Sequence, residues 1–251
     1  MIEKTIHYVW FGEQKSIKIQ NYIDNWRNEL PDYKIIEWNE KNFDINSVKW
    51  VEQAVEYRKF AFASDYIRLW AVYNCGGIYL DTDVEVKKSF DDILDMKYFL
   101  GMNMSRGIIE LGIFGAEQKC EWVRCLMEYY ENKNFASNKN GLCSIEPNSH
   151  MALRLLKNKF GLLRIPNKES FSETESRIQL LPTEFFSPKP WDSEKFTVTK
   201  NTYTVHYFEK SWNPPERRFA ELFKSIKYMV RKIIGEKRYL DLLWRIYVKR
   251  R

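Results

Sequence analysis

Two periodicities of apolar and polar positions run along this chain, and the switches between them outline its elements. Residues 5–11 (TIHYVWF) form a β-branched and aromatic run ending at Gly12, which predicts a buried strand. Residues 17–29 read as a helix stopped by Pro31, and 33–38 (YKIIEW) as a second strand. Strand, helix and strand at this spacing predict a parallel βαβ unit and an α/β fold. A helix is expected over 59–74, closed by the Gly76–Gly77 stop signal, with a strand over 78–86 (IYLDTDVEV). Further strands are expected over 98–102 and 112–116, and helices over 121–131 and 151–159. Residues 161–202, with Pro166, Pro182, Pro188 and Pro190, read as irregular; a late strand follows over 203–208 (YTVHYF). In the last 35 residues, Phe219, Leu222, Phe223 and Ile226 begin one apolar stripe at helical spacing, and Tyr239, Leu242, Leu243 and Ile246 form another after Gly235. They predict a pair of amphipathic helices joined by a turn.

Composition narrows the class. The chain has 251 residues, 44% hydrophobic and 29% charged, with only 10 Gly and 8 Pro, which excludes a disordered or collagen-like chain. The net charge of +6 is unevenly placed: residues 217–251 carry 12 Lys/Arg against 3 Asp/Glu, whereas 1–216 carry 28 against 31. The basicity belongs to the tail, so a nucleic-acid partner is not expected. Two segments follow: a main domain over 1–215 and a basic amphipathic tail over 216–251. Cys75, Cys120, Cys125 and Cys143 contain no C-x-x-C pair and read as reduced thiols of a cytoplasmic protein. The three histidines (His7, His150, His206) lack zinc-type spacing. No signal peptide is read, and the uncharged stretch 69–80 is too short to span a bilayer.

The chemistry concentrates in residues 76–83, GGIYLDTD. On a strand, Tyr79, Asp81 and Asp83 share one face, with Thr82 on the other. Neighbouring carboxylates repel unless a cation or a protonation shift resolves the conflict, and oxygen ligands of this kind suit Mg²⁺ or Mn²⁺ bridging to a diphosphate. A D-x-D alone is common; one that ends an apolar strand after a double glycine is not. On the preceding helix, Asp65 and Arg68 are i,i+3 neighbours. They read either as a plain helical salt bridge or as a sugar-hydroxyl contact (Asp65) and a phosphate contact (Arg68).

The order HYVWFG, FASDYIRL, GGIYLDTDVEV resembles the DXD-containing bacterial glycosyltransferases of family 32, relatives of the yeast α-1,6-mannosyltransferases. The resemblance covers roughly residues 1–120 and returns at 205–212, VHYFEKSW. It implies a GT-A (Rossmann-like) domain, a nucleotide-sugar donor (UDP-linked favoured), a divalent metal and retention of anomeric configuration. By position it assigns Val9, Trp10 and Phe11 to a nucleotide-base pocket, Asp65, Arg68 and Tyr79 to the donor, and Asp81 and Asp83 to the metal. His206 becomes a third metal-ligand candidate, and Ser211 and Trp212 donor-binding candidates. Asn103–Glu117, with Glu110, is expected to line the donor or acceptor cavity. His7, on the first strand, reads as structural; Trp10, Phe11 and His206 can equally be read as core residues.

The implied enzyme transfers a hexose to a glycan or lipid-linked acceptor in bacterial capsule, O-antigen or exopolysaccharide synthesis. The tail either docks on the domain or lies on the anionic inner face of the plasma membrane. The rival from another class is a non-catalytic nucleotide-sugar- or membrane-binding module on the same scaffold.

Overall fold

The computed structural model describes residues 1–12, 14–103, 109–137, 141–142, 146–190, 193–209 and 230–246. Strand β1 (Thr5–Val9) pairs in parallel with β2 (Lys34–Trp38) on one side and with β3 (Gly77–Leu80) on the other. The chain reaches β2 through helix α1 (Ile17–Glu29), then crosses back over α2 (Lys49–Glu56) and α3 (Phe60–Cys75). The first crossover carries the chain from β1 to one side and the second returns it past β1 to the other, so the carboxyl ends of β1 and β3 flank a topological switch point, where open α/β sheets bind ligands. β4 (Val84–Val86), β5 (Tyr98–Met102) and β6 (Ile109–Ala116) follow; β6 runs antiparallel to both β3 and β5, completing a sheet of order β2-β1-β3-β6-β5.

Alternation along the strands feeds two cores. Ile6, Tyr8, Ile78 and Leu80 face α1, through Ile19, Ile23 and Trp26; Val9 and Tyr79 face the layer of α2, α3 and α4 (Glu121–Glu131). In β6 the alternation breaks. Leu100 pairs with Phe114 and the next residue, Gly101, with Glu110, so Leu111–Ile113 bulge out of the ladder with β5, while Ile113 stays paired with Leu80 of β3. Leu111 packs into one core and Ile113, two residues on, into the other. Such a bulge re-aims side chains, and this one lies beside the D-x-D segment.

The short strands β7 (Ala136–Ser137) and β8 (Gly141–Leu142) precede α5 (Asn148–Lys159), β9 (Leu162–Arg164), β10 (Ile178–Leu180), α6 (Thr183–Phe186) and β11 (Thr204–His206). Residues 161–202 are therefore not irregular: β9 and β10 pair in parallel, and the Leu181 N–H bonds to the Leu100 carbonyl at 2.9 Å, covering the edge of β5. The strand expected over 78–86 is two strands. β3 ends at Leu80, residues 81–83 turn, and β4 leaves the main sheet to pair antiparallel with β11.

Residues 230–234 are helical, and after Gly235 (φ 80°) helix α7 (Glu236–Trp244) docks on the domain. Trp244 joins the core beneath the Arg164 guanidinium, 5.1 Å from its ring, and Arg164 pairs with Asp241 at 2.5 Å. Among the described residues no helix is long and apolar enough to cross a membrane. Cys75, Cys120 and Cys125 are free thiols.

The double glycine after α3 fixes how β3 enters the sheet. Both residues have positive φ, and a Cβ on Gly77 would sit 2.6 Å from the Thr5 carbonyl oxygen. His7 clamps this turn. Its Nε2 lies 2.8 Å from the Gly76 carbonyl, and its Nδ1 accepts from the Trp38 indole N–H at 3.1 Å, so the ring is neutral with its proton on Nε2. Burial pushes its pKa down to about 4. The unfolded chain therefore binds a proton that the fold rejects, and stability falls as pH drops from about 6.5 to about 4. The cost is about 3 kcal/mol for this group. We expect the His7 ring resonances to titrate near pH 4 by NMR, and His7→Gln to flatten the acid limb of a urea-stability profile. Titration near 6.5 would refute the clamp.

Candidate metal and donor site

The turn after β3 and the bulge in β6 place four acids together: Asp65 from α3, Asp81 and Asp83 from the turn, and Glu110 from β6. Two cations contact them, Arg68 and His206. Arg68 lies one turn after Ser64 on α3, its guanidinium 4.7 Å from the centre of the buried Tyr79 ring. Nη2 is 3.2 Å from Asp65 Oδ1 and 3.3 Å from Asp81 Oδ1, and Nη1 is 3.4 Å from Asp81 Oδ2. Nη1 also donates to the Leu111 carbonyl in the bulge at 2.9 Å, and Nε and Nη2 donate to the Ser64 carbonyl and hydroxyl. Protein acceptors thus occupy the whole guanidinium fork. There the guanidinium neutralises the acids and satisfies the bulge.

Asp81 Oδ1 also accepts from the Tyr79 hydroxyl at 2.8 Å. Asp83 is held differently: Oδ2 accepts from the Glu209 N–H at 2.8 Å, and Oδ1 faces His206 Nε2 at 3.2 Å. The expected shared strand face for these two aspartates is wrong, because a turn and not a strand carries them. The two strand pairings bring His206 in: β11 matches His206 with Val84, the residue after Asp83. The other ring nitrogen, Nδ1, is 3.4 Å from Glu110 Oε1. Stacking on Phe208, with centroids 4.0 Å apart, covers the ring.

Electrostatics follow from burial and pairing. Burial pushes the Asp65 carboxyl up to about 6, although Arg68 and Asn148 pull it down. Burial also raises Asp81 above the usual carboxylate range, with Arg68 opposing. At Asp83 and Glu110 burial acts the same way, but His206 and the hydrogen bonds from Glu209, Gly112 and Asn103 together outweigh it, and both are lowered. His206, despite burial, is held well above the ordinary imidazole range by Asp83 and Glu110.

Asp81, Asp83 and His206 each offer one ligand atom, and these lie within 4.8 Å of one another. Among the described residues, four acids against one guanidinium and one imidazole leave excess negative charge even when His206 is protonated. Two carboxylates and an imidazole with such an excess fit a divalent ion of the Mn²⁺ or Mg²⁺ type.

Of the other expected residues, Val9 is a core residue, and Phe11 is buried with its ring stacked on Phe60 at 5.8 Å. Trp10 alone of the three lines an open polar cavity of about 470 Å³, with Lys15, Glu37 and Asn39 among its walls. Tyr79 is buried and supports Asp81. Ser211 and Trp212 lie outside the described residues. Sequence reasoning missed Asn148, which donates to Asp65 at 2.6 Å from the first residue of α5, 83 positions away. No local spacing signals such a partner.

Residues 16–100, which include Asp81 and Asp83, match the family model described as a glycosyltransferase sugar-binding region containing a DXD motif. A stretch of 48 residues is 48% identical to Glucan organizing enzyme 1 of Cryptococcus neoformans var. grubii serotype A. That stretch is 19% of this chain and only 13% of the relative's length. Among solved structures, the galactosyltransferase LgtC, in complex with donor and acceptor sugar analogues, is 12% identical. The match covers 90% of this chain and 94% of that one, with a TM-score of 0.46. The PaToxG glycosyltransferase is 17% identical over 51% of this chain and 59% of that one, with a TM-score of 0.40.

Gly112 tests the packing of the cluster. A Cβ there would sit 2.7 Å from His206 Cε1, 2.8 Å from Asp81 Oδ2 and 2.9 Å from Glu110 Oε1. We expect Gly112→Ala to cost about 1–3 kcal/mol in thermal unfolding and to weaken Mn²⁺ binding at least about tenfold by titration. An alanine variant that binds like the parent would show that the cluster is looser than described.

Proposed function

We propose that this chain is a metal-assisted, retaining hexosyltransferase of GT-A architecture and family 32 type, its catalytic domain spanning 1–215. In this reading it transfers a hexose from a nucleotide sugar, UDP-linked, to a glycan or lipid-linked saccharide in bacterial surface polysaccharide synthesis. The observation that carries it is the D-x-D turn at the sheet's switch point, facing His206 within a buried cluster of excess negative charge. The glycosyltransferase sugar-binding region matched over 16–100 contains that turn.

A divalent cation held by Asp81, Asp83 and His206 would supply electrostatic stabilisation of the charge that grows on a departing diphosphate. The protein's own groups orient this site. Arg68 and Tyr79 fix Asp81, and the Glu209 N–H fixes Asp83. Asp65, kept between Arg68 and Asn148, is the polar group proposed to face donor hydroxyls. Trp10 offers an aromatic wall for the base in its cavity. All four acids of the cluster are engaged by protein donors or cations, which suits a retaining transfer. There the acceptor hydroxyl enters on the face the diphosphate leaves, and a phosphate oxygen takes its proton, so no separate carboxylate base is required.

Asp81→Ala, Asp83→Ala and EDTA are each expected to lower sugar-nucleotide hydrolysis and transfer at least about 100-fold. Arg68→Lys should also lower activity and unfold earlier, because one ammonium cannot replace the fork that holds Asp65, Asp81 and Leu111 together. Full activity in an Asp81→Ala/Asp83→Ala double variant would overturn the assignment. A thermal-shift screen of UDP-, GDP- and CMP-sugars with Mn²⁺ identifies the base.

For the tail, the proposal is peripheral attachment to an anionic inner-leaflet surface of a cytoplasmic enzyme. Helix α7 turns Tyr239 and Trp244 inward, yet Ile233, Leu242 and Ile246 remain exposed beside Lys232, Arg238 and Arg245. Truncation would strip Trp244 from the core, so substitution is the cleaner test. Ile233→Glu/Leu242→Glu/Ile246→Glu should abolish co-sedimentation with phosphatidylserine-containing liposomes without changing the melting temperature. Equal pelleting of variant and parent would exclude the anchor.

A further inference from the structure

Acids flank His206 at both ring nitrogens, and only one nitrogen can serve a cation. Nε2 faces Asp83 at 3.2 Å, and one ring nitrogen of His206 lies within 4.8 Å of ligand atoms of both Asp81 and Asp83. Nδ1 is fully buried and makes no hydrogen bond as the ring stands; the acceptor facing it is Glu110 Oε1, at 3.4 Å. We propose that Glu110 is a positioning residue. Its carboxylate holds the His206 ring with the proton on Nδ1, leaving the Nε2 lone pair for the cation, and so sets the affinity of the site. The inference rests on the metal-site reading above and extends it to a residue outside the D-x-D motif.

The geometry separates this role from a catalytic one. Both Glu110 oxygens are committed: Oε1 accepts from the Gly112 N–H at 2.8 Å, and Oε2 from the Asn103 amide at 2.7 Å. Its side chain is 5% exposed. The bulge of β6 fixes its backbone, and Gly112 leaves room for His206 to approach. A carboxylate that fixes the tautomer and orientation of a metal-ligating histidine commonly changes metal affinity 10–100-fold when removed.

The test uses the full chain and Mn²⁺ alone, with free Mn²⁺ read by electron paramagnetic resonance. Glu110→Gln should weaken binding about 10–100-fold, and Glu110→Asp, which keeps the charge but shortens the reach, less. In ¹⁵N-histidine-labelled, Mg²⁺-saturated protein, the ring assigned through His206→Gln should show the Nδ1-protonated tautomer in the parent. Glu110→Gln should lose that preference, a change that a merely structural defect would not produce. If Glu110→Gln does not fold, Glu110→Asp decides. Binding within about threefold of the parent with the tautomer unchanged overturns the proposal while leaving the metal site intact. Parent-like Mn²⁺ binding by Asp83→Ala, or none by the parent, overturns both.

Discussion

Asp65, Asp81, Asp83 and Glu110 share one largely buried patch, with Arg68 and His206 as the cations in contact among the described residues. The rest of the architecture is arranged around that excess of charge. A pair at about 3.3 Å attracts by about 5 kcal/mol at an effective dielectric near 20. Removing each ion from water costs several kcal/mol, so the patch is tolerable only if nearly every oxygen is bonded. That condition is met by groups from across the chain. Arg68 and Ser64 come from α3, Tyr79 from β3, the Gly112 amide from β6, Asn148 from α5 and the Glu209 amide from beyond β11. Arg68 is the pivot, because the same guanidinium satisfies the carbonyl that the β6 bulge leaves unpaired. The chemistry and the irregularity of the sheet are one feature.

What was legible in the sequence was whatever a local period or a local stop signal records. The αβ crossover at 17–38, the Gly76–Gly77 stop and helix 121–131 were all readable, because burial of one face and glycine's freedom at positive φ act within a few residues. The D-x-D motif was readable as chemistry but not as geometry: a period-2 reading cannot see a three-residue turn between two strands of different sheets. Strands β9 and β10 are three residues each and sit in a proline-rich stretch, too short for alternation to register. The engaged fork of Arg68 and the Asn148–Asp65 bond depend on contacts spanning up to 83 residues, and no single-sequence spacing encodes them. Trp10 and His206 carried two readings, and they separate only when burial is known: one lines a cavity, the other is enclosed among acids.

Charge outside the cluster has a different logic. The main part of the chain is slightly acidic, and the surplus of basic residues belongs to 217–251. Within that segment, α7 divides its labour by face. Tyr239 and Trp244 supply apolar area to the domain and Asp241 an ion pair to Arg164, whereas Arg238 stays in solvent. Lys and Arg on the outer face of a docked helix cost nothing in burial and leave a positive surface. An amphipathic tail can therefore both complete a core and present charge, so the two readings of its sequence are not exclusive.

The donor set of the cluster depends on a very small piece of sheet. β4 and β11 contribute three residues each, and their register alone sets His206 beside Asp83. In an antiparallel pair, a slip of one residue turns every side chain to the opposite face. His206 would then leave the cluster, and Asp83 and Glu110 would lose their shared cation. The register is held from both ends. Tyr203 is buried among Phe90, Phe185 and Phe186, with its hydroxyl on Asp92; the Tyr207 N–H bonds to the Asp83 carbonyl at 3.0 Å. The Trp26 indole N–H caps the Val84 carbonyl at 2.7 Å, tying the same strand to α1. The aromatic packing around Tyr203 thus does for the site what hydrogen bonds do within it. It selects one of two faces for β11, and with it the identity of the third ligand.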